Sequence, residues 1–393
     1  MTHNAFMGDL GEAERPVILV GGGAYKAREA IRQFAEKHRI PVVCTWNAQD
    51  VVTADSPCFA GIVGTYGGPG RNFAIQNADL LLVIGCRVSG RITGGQPQTF
   101  ARAAKRYWVD VDADLLDEHE WRPSTAICDE AGTFVDRCMS GQYVSWSLGF
   151  SRWLERCIGW RDKYDPVLPE MLAEWHHYGV MRRLSEELPD DAIVVYDTGG
   201  NAIMMGHCFR SKRGQRIFSS NGNTPMGFSM CGAIGAWFAE PQRTIICIIG
   251  DGGMQLNIQE LQTIRHYNAK VKVFIFNNGI LGNTKAYQRV NGKPEICCGP
   301  DGYSAPVFSA VVNAYGIKSF TLGEWERFEY VVQGALAHDG PCVVDIIDED
   351  RCTYEPRISK WDTPIEDAYP YLPREEFRDN MLVEPMDGWE KVK

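Results

Sequence analysis

Two polar residues that each follow a short apolar run carry the clearest chemical signal in this chain. Asp251 comes just after the run 244–249, and Asn278 comes just after the run 271–276, 27 positions further on. A carboxylate oxygen and a neutral amide oxygen together suit a hard divalent cation such as Mg²⁺, which keeps its remaining positions for phosphate and water. Asp251 and Asn278 are therefore candidate metal ligands, provided that the fold brings them together.

The segment between the two runs predicts the elements that would do so. Apolar residues recur at helical spacing within 257–265, so the order is strand, helix, strand. A right-handed crossover of this kind brings the C-terminal ends of both strands to the same edge of a parallel sheet. We therefore expect the two side chains to meet at that edge.

Glycines surround the aspartate at positions 250, 252 and 253. Because Gly252 and Gly253 have no side chains, backbone N–H groups can approach an anion closely there. A Gly-Asp-Gly triplet alone is usually an ordinary turn. Together with the two metal ligands, however, the glycines indicate a diphosphate bridged by a metal ion.

The segment from Gly250 to Asn278 resembles the diphosphate-binding motif of the thiamine-diphosphate-dependent enzymes, and among them the acetohydroxyacid (acetolactate) synthase branch. The similarity extends from about residue 15 to about residue 347. The resemblance implies that Asp251, Asn278 and the main-chain carbonyl of Ile280 hold Mg²⁺ on the diphosphate of thiamine diphosphate.

Other segments match the same family. The resemblance implies that Met226 lies between the two rings of the cofactor and that the Thr224 carbonyl accepts a hydrogen bond from its amino group. Taken alone, a methionine of this kind is more often core filler, and the turn 199–201 is an ordinary strand-to-helix turn. The cofactor contacts that the resemblance implies are Gly199, Gly200, Asn201, Thr224, Met226, Gly252, Gly253 and Gly282.

Three residues beside the motif predict an unusual substrate. Asn283, Thr284 and Tyr287 stand where the family carries two apolar residues and a tryptophan. A polar pocket rejects an apolar partner because each of its own unpaired polar groups would cost about 1–3 kcal/mol. We therefore expect a 2-ketoacid such as pyruvate as donor and an acceptor more polar than pyruvate, with neutral drift at a surface turn as the alternative.

The resemblance also implies a glutamate that activates the cofactor, carried on a pyrimidine-binding domain of on the order of 100–150 residues. Only some fifteen residues precede the first predicted strand, which begins at Pro16. We therefore expect a separate partner chain to provide this glutamate, so that the enzyme is split and hetero-oligomeric. The alternatives are a non-catalytic cofactor-holding or regulatory subunit, a simple 2-ketoacid decarboxylase, and a piece of a longer enzyme.

Apolar runs that alternate with helical stretches predict an α/β fold with two doubly wound parallel-sheet domains. The prediction divides the chain into a Rossmann-like central domain (1–140), a linker (141–169), a diphosphate-binding domain (170–350) and a tail (351–393). The tail is rich in proline and aromatic residues, and we expect it to pack over the active-site face or against a partner chain. The predicted strands are 17–20, 41–44, 80–85, 107–112, 192–196, 244–249, 271–276 and 341–347.

The first half resembles the central domain of the same branch, which often holds FAD. The turn 21–23 offers glycine amides after a strand, but Lys26 stands at the last position of the G-x-G-x-x-G pattern, so the pattern is incomplete. Flavin binding and an empty structural domain therefore both stay open. The positions that would contact flavin are Gly22, Gly85, Arg87, Arg91 and Asp110.

Composition excludes several other classes of protein. The net charge of −10, without a cluster of Lys or Arg, argues against a nucleic-acid partner. No run approaches the ~20 apolar residues of a membrane span. The 13 cysteines are odd in number and form no C-x-x-C motif, which argues against a disulfide scaffold or a zinc site. Several of them lie in or at the ends of apolar runs, as buried thiols would, and we expect a cytoplasmic location.

Overall fold

The computed structural model describes residues 2–140, 149–349, 351–358, 360–361 and 363–391. Part of the predicted linker (141–148) and a few single positions in and near the predicted tail lie outside the described residues. The chain forms two compact units, one of residues 1–166 with 355–393 and the other of residues 167–354. Each unit contains one six-stranded sheet in which all neighbouring strands are parallel, so the predicted α/β class with two parallel-sheet domains is confirmed.

The strands of the first sheet lie in the order β3-β2-β1-β4-β5-β6, and those of the second in the order β11-β12-β10-β9-β7-β8. In chain order the strands are β1 Pro16–Val20, β2 Val42–Cys44, β3 Phe59–Ile62, β4 Leu80–Ile84, β5 Lys105–Asp110, β6 Thr125–Cys128, β7 Ile193–Tyr196, β8 Arg216–Phe218, β9 Ile245–Gly250, β10 Val271–Asn277, β11 Lys318–Leu322 and β12 Cys342–Ile347.

Helices connect most of these strands. In chain order they are α1 Thr2–Glu12, α2 Arg28–His38, α3 Gly68–Gln76, α4 Gly90–Thr93, α5 Ala113–Glu118, α6 Ala131–Ser140, α7 Ser151–Lys163, α8 Pro169–Ala173, α9 His177–Glu187, α10 Gly200–His207, α11 Phe228–Ala239, α12 Asp251–Leu256, α13 Glu260–Tyr267, α14 Gly282–Val290, α15 Phe308–Ala314, α16 Phe328–Ala337 and α17 Arg374–Asn380. Among the described residues, none of these helices is long and apolar enough to span a bilayer.

Strands in the middle of the sheets, such as β1 and β4, are apolar throughout because both faces of each sheet are covered. In β1, Ile18 and Val20 belong to one hydrophobic cluster, whereas Val17 and Leu19 belong to a second cluster. Successive side chains of a strand point to opposite faces, so the two clusters lie on the two sides of the sheet. A continuous apolar run is therefore the pattern of a strand that is buried on both sides.

The segment between the two candidate ligands differs from the prediction in detail. The helix predicted over 257–265 begins at Glu260, and a separate short helix, α12, begins at Asp251 itself. Leu261 and Ile264 are buried, as the helical spacing predicts. The candidate aspartate is therefore the first residue of a helix that directly follows its strand.

Residues 355–393 of the predicted tail belong to the first compact unit, whereas residues 351–354 belong to the second. The Asn72 amide donates to the Ile365 carbonyl at 2.8 Å, and the Gln76 amide donates to the Glu366 carboxylate at 2.6 Å. Arg102 forms an ion pair with the buried Glu366 at 2.7 Å. This part of the chain is thus held to α3 and to the segment between α4 and β5 by polar contacts.

Candidate functional site

A cavity of about 200 Å³ lies at the carboxyl edge of the second sheet. Its lining residues come from the segments that directly follow the adjacent strands β7, β9, β10 and β12, and His177 and Met226 complete it. Ligands of open parallel sheets bind outside the carboxyl ends of the strands. The cavity therefore lies where the two candidate metal ligands are expected to meet.

The structure brings Asp251 and Asn278 together at this edge. Gly250 on β9 is in register with Phe276 on β10, so the residues that follow both strands lie side by side. The backbone N–H groups of Gly252 and Gly279 lie near enough to the Asp251 carboxylate to lower its pKa, and both Asp251 and Asn278 line the cavity. The aspartate therefore lies beside the residue that directly follows the asparagine.

The Asn278 side chain has a fixed orientation. Its Nδ2 donates to the Arg351 carbonyl at 2.6 Å, and because a carbonyl oxygen can only accept, Oδ1 must lie on the other side of the amide. Oδ1 accepts from the Ile280 N–H at 3.3 Å. The Ile280 carbonyl also lies beside the cavity and accepts from the Gly282 N–H at 3.0 Å, which leaves its second lone pair for another partner.

The surroundings of Asp251 fit a divalent cation. Its side chain is only 3% exposed, and burial raises the pKa of this carboxyl group above its usual value of 3.8 to about 6, although the Tyr303 hydroxyl donates to it at 3.0 Å. Within the described part of the chain, no lysine, arginine or histidine forms an ion pair with it. A buried carboxylate without a cationic partner is costly, and a metal ion removes that cost.

The described residues hold no cluster of three or more His, Cys, Asp or Glu side chains that could bind a metal ion by themselves. The predicted ligand set is of another kind, because in it Asp251 is joined by an amide oxygen and a main-chain carbonyl. The remaining positions of a Mg²⁺ ion would belong to phosphate oxygens and water. The residues present therefore fit a cation that binds together with its anionic ligand.

We predict a pH-dependent stability cost at Asp251 in the metal-free protein. The folded-state pKa of about 6 exceeds the unfolded value, so the folded carboxyl group binds its proton more tightly and stability falls as pH rises from about 4 to about 6. Asp251→Asn should remove this cost and raise the unfolding free energy at pH 7 by up to roughly 3 kcal/mol. Urea unfolding of both proteins without Mg²⁺ at pH 5, 6 and 7 measures the difference. If the difference in unfolding free energy between the two proteins does not become smaller toward pH 5, the raised pKa of Asp251 is contradicted.

The first predicted phosphate loop is a strand-to-helix turn with a glycine in a positive-φ conformation. Gly199 has φ +73°, a conformation that other residues rarely adopt, and α10 begins directly after it at Gly200. The first N–H groups of a helix have no partner within the helix and bind anions readily. Asn201 also lines the cavity, and its buried Oδ1 has no hydrogen-bond partner among the described residues.

Close packing explains the glycine at position 253. A Cβ there would lie 2.8 Å from the Asp197 carboxylate. Asp197 is buried and accepts hydrogen bonds from the Gly227 N–H at 2.8 Å and from the Ser229 hydroxyl at 3.3 Å. Burial raises the pKa of the Asp197 carboxyl group, and these hydrogen bonds lower it. Asp197 therefore ties the β7 loop to the turn that carries Met226.

Met226 and Thr224 occupy different places around the cavity. Met226 lines the cavity and is 40% exposed, whereas Thr224 is not among the lining residues. Thr224 has φ +48°, which is an outlier for a β-branched residue. Such backbone strain occurs mainly at ligand sites, although the role of the Thr224 carbonyl stays a prediction.

The three predicted substrate residues are not all brought together. Asn283 and Thr284 line the cavity at the start of α14. Tyr287 lies one turn further along the same helix, is 52% exposed and does not line the cavity; the Lys293 ammonium group lies over its ring at 5.3 Å. Tyr287 lies on the same helical face as Asn283 and Thr284 but one turn further along α14 and outside the cavity lining, so its predicted pocket role has no support within this chain.

Several residues around the cavity were not predicted to take part. Asp348 directly follows β12 beside β10, so the pattern of a polar residue after an apolar run, which identified Asp251, also fits it. Tyr303 lies in a connection without periodic pattern, and no sequence signal indicates its contact with Asp251. His177, Arg351 and Tyr354 also line the cavity, although they lie outside the predicted motif.

Tyr303 is expected to hold the candidate metal ligand in place. Its hydroxyl donates to Asp251 Oδ2 and accepts from the Gln255 amide at 2.8 Å. Because second-shell partners of metal ligands typically contribute 10- to 100-fold in affinity, Tyr303→Phe should weaken Mg²⁺ binding by roughly 10-fold. Mg²⁺ titration in the presence of thiamine diphosphate measures the change, with Tyr287→Phe as the matched control. Unaltered Mg²⁺ affinity in Tyr303→Phe would show that this hydrogen bond has no such role.

The predicted flavin positions lie at the carboxyl edge of the first sheet. Gly22 follows β1, Gly85 and Arg87 follow β4, and Asp110 ends β5, and these three strands are neighbours. Arg91 lies in α4, with its guanidinium 6.0 Å from the Trp46 ring.

The turn 21–23 was expected to offer its glycine amides to an anion, and this expectation is wrong for two of the three amides. The Gly21 N–H donates to the Ile84 carbonyl at 2.9 Å, and the Gly23 N–H donates to the Gly85 carbonyl at 3.0 Å. These groups are paired because the turn packs directly against the end of β4. Flavin binding through the remaining positions stays a prediction.

Comparisons with known proteins agree with the geometry of the site. Residues 197–346 match the C-terminal TPP binding domain of thiamine pyrophosphate enzymes, and residues 5–138 match their central domain. Thiamine pyrophosphate is another name for thiamine diphosphate. The first of these matches contains the cavity segments that follow β7, β9 and β10.

Individual relatives are acetolactate synthase large subunits. The probable acetolactate synthase large subunit of Methanocaldococcus jannaschii is 30% identical over 353 residues, which are 86% of this chain and 58% of that protein. Acetolactate synthase isozyme 2 large subunit of Escherichia coli K12 is 27% identical over 352 residues, 86% of this chain and 61% of that protein. The acetolactate synthase large subunit of Porphyra purpurea is 27% identical over 347 residues, 87% of this chain and 58% of that protein.

The chain therefore spans about three fifths of the length of these curated relatives. The two domain matches cover residues on both sides of the predicted linker and follow each other in the chain. The chain belongs to the thiamine pyrophosphate enzymes and carries their central domain and their C-terminal TPP binding domain.

Proposed function

We propose that this chain provides the diphosphate-binding part of a thiamine-diphosphate-dependent 2-ketoacid decarboxylase or carboligase of the acetolactate synthase type. One observation carries the proposal: the buried Asp251 carboxylate, without a cationic partner among the described residues, lies beside the backbone amide of Gly279, which directly follows Asn278. Both residues line a cavity within the segment that matches the TPP binding domain.

Each group around the cavity has a definite task in this proposal. Asp251, Asn278 and the Ile280 carbonyl hold Mg²⁺, and the backbone amides at the starts of α10 and α14 bind the phosphate oxygens. The half-exposed Met226 supports the rings. When bound, thiamine diphosphate supplies the carbanion chemistry by which a 2-ketoacid loses CO₂. The protein orients the cofactor and keeps its charged end out of water.

The activating glutamate comes from a partner chain in this proposal. None of the described residues that line the cavity is a glutamate. Leu256 at the end of α12 and Tyr287 on α14 are large and more than half exposed, although both helices begin at the cavity. These exposed apolar groups support a pyrimidine-binding partner that covers the cavity mouth and forms a hetero-oligomer.

The names of the relatives and the polar residues of the cavity lining indicate the substrates. The names of the relatives support pyruvate as the donor 2-ketoacid. Asn283 and Thr284 place an amide and a hydroxyl on the lining of the cavity. A site built to hydrogen-bond discriminates strongly against a partner that lacks polar groups. We therefore propose an acceptor aldehyde or ketone that carries hydroxyl groups near its carbonyl.

Co-expression of this chain with a candidate pyrimidine-binding chain tests the proposal. Purified complex should release CO₂ from pyruvate only when Mg²⁺ and thiamine diphosphate are present, and polyhydroxylated acceptors should yield more condensation product than 2-ketobutyrate. The control complex carries the partner with its glutamate replaced by glutamine, which should be inactive. A stable complex that binds the cofactor but turns over no 2-ketoacid would contradict the catalytic proposal and favour a cofactor-holding subunit.

A further inference from the structure

The cavity carries a wall that the family motif does not include. This wall consists of His177, Asp348, Arg351 and Tyr354, and all of them line the same cavity as Asp251. Among the described lining residues, Arg351 is the only lysine or arginine, while Asp197, Asp251 and Asp348 are carboxylates. A diphosphate adds several negative charges, and one Mg²⁺ offsets only two of them. The site therefore needs further donors that can bear positive charge.

His177 meets the requirements for such a donor. It is the first residue of α9 and is only 4% exposed. Its backbone N–H donates to Asp348 Oδ2 at 2.9 Å, and its Nδ1 lies 3.1 Å from the same oxygen. The opposite ring nitrogen, Nε2, is buried and has no hydrogen-bond partner among the described residues.

The contact with Asp348 determines how the ring can bind. A carboxylate only accepts hydrogen bonds, so Nδ1 carries the proton and Nε2 faces away from Asp348. A proton on Nε2 would make the ring a cation whose charge Asp348 offsets, and Nε2 would then donate to an anionic oxygen. A buried Nε2 without a partner is unfavourable, and such a ligand oxygen would satisfy it.

Tyr354 connects this histidine to the predicted phosphate positions. The rings of His177 and Tyr354 meet edge to face with centroids 5.8 Å apart. A Cβ on Gly200 would lie within 2.5 Å of the Tyr354 ring, and a Cβ on Gly282 would lie 2.6 Å from its hydroxyl. The Tyr354 hydroxyl therefore lies between the first residues of α10 and α14.

We propose that His177, held by Asp348, is an additional ligand for the terminal phosphate of the cofactor. This inference rests on the proposed function, because it assumes that the cavity holds the diphosphate. His177 comes from the start of α9 and lies 74 positions before Asp251, so it extends the phosphate site beyond the motif. Asp348 is a positioning residue that fixes the ring, and its second oxygen accepts from Arg351 at 3.3 Å.

The variant His177→Asn tests the role of Nε2 in ligand binding while keeping the hydrogen bond to Asp348 that supports the fold. The asparagine amide can replace Nδ1 as donor to Asp348, but it has no group at the position of Nε2. We expect this variant of the full chain to bind thiamine diphosphate, and inorganic pyrophosphate with Mg²⁺, roughly 10- to 100-fold more weakly by calorimetry. Binding of thiamine monophosphate, which lacks the terminal phosphate, should change by less than about 3-fold. Asp348→Asn should weaken binding of the diphosphate ligands by a smaller factor, and it should likewise affect the diphosphate ligands more than thiamine monophosphate.

His176→Asn is the matched control, because His176 stacks on His177 at 4.5 Å and does not line the cavity. Its Nδ1 accepts from the Tyr178 N–H at 3.1 Å, and asparagine can replace it as an N-cap. This control should retain wild-type affinity for every probe.

The binding results distinguish a failure of the proposed function from a failure of the proposed role of His177. If the wild-type chain binds neither Mg²⁺-pyrophosphate nor thiamine diphosphate, the proposed function fails and the inference fails with it. If wild type binds both and His177→Asn binds equally well, only the role of His177 is overturned. Equal losses for the monophosphate and the diphosphate, or for the variants at positions 176 and 177, would assign His177 a structural role and also overturn the inference.

Discussion

Replacing Asp251 by alanine is expected to abolish Mg²⁺-dependent binding of thiamine diphosphate. The carboxylate is the only charged group among the predicted metal ligands, and its buried position means that water cannot replace it easily. Loss of a second-shell partner typically costs 10- to 100-fold in metal affinity. Loss of the ligand itself should therefore exceed about 100-fold.

Calorimetric titration of thiamine diphosphate with and without Mg²⁺ measures this effect. Asp345→Asn is the matched control, because Asp345 is a buried carboxylate on β12 that accepts from Asn277 at 3.0 Å and does not line the cavity. Its replacement should leave Mg²⁺-dependent binding close to wild type. Unchanged cofactor affinity in Asp251→Ala would show that the metal ion is held elsewhere.

A second large effect is expected for Gly21→Ala in the first unit. A Cβ at this position would lie 2.1 Å from the Gly85 carbonyl oxygen and 2.5 Å from the Cys86 Cα. These are backbone atoms between β4 and the segment that follows it, so they cannot move aside without displacing the strand end. Overpacking of this kind typically costs 1–3 kcal/mol and occasionally more, and we expect a loss of about 3 kcal/mol or more.

Gly8→Ala is the control, and it is expected to change the stability in the opposite direction. Gly8 lies within α1 and is exposed, and a Cβ there would meet no atom within 4 Å. Alanine at an exposed helical position stabilises a helix by about 0.5–1 kcal/mol relative to glycine. Thermal unfolding of the two variants should therefore shift in opposite directions. A Gly21→Ala protein with wild-type stability would contradict the close packing of β1 against the end of β4.

The central strands could be predicted from the sequence, whereas the edge strands could not. All eight predicted strands correspond to strands of the structure, and the strands without a prediction are β3, β6, β8 and β11. These four are the outermost strands of the two sheets. A central strand is buried on both faces and forms a continuous apolar run. An edge strand such as β11, Lys318–Leu322, is mostly half exposed, so its pattern is mixed.

The meeting of Asp251 and Asn278 could be predicted for the same reason. Both follow strands whose apolar pattern is unambiguous, and the crossover rule then determines the edge at which they lie. The position of Tyr287 relative to the cavity was harder to predict, because it depends on where α14 begins. The structure starts this helix at Gly282, so Tyr287 lies more than one turn beyond the cavity end of the helix and outside the cavity lining.

The contacts that orient the predicted ligands could not be inferred from local pattern. Tyr303 reaches Asp251 across 52 positions, and the Arg351 carbonyl reaches Asn278 across 73 positions. Both lie in irregular connections, where neither apolar period nor turn chemistry specifies a neighbour. Contacts of this kind depend on the packed fold, so the sequence identifies the ligands more readily than the groups that hold them.

Anomalous diffraction from crystals of the chain grown with Mn²⁺ and thiamine diphosphate tests the central claim most directly. Mn²⁺ replaces Mg²⁺ at oxygen sites and gives a signal that marks its position. We expect one strong peak in contact with the Asp251 carboxylate, the Asn278 Oδ1 and the Ile280 carbonyl, with the diphosphate on its open side. A peak held by other residues, or a cofactor bound without either of these side chains, would contradict the account.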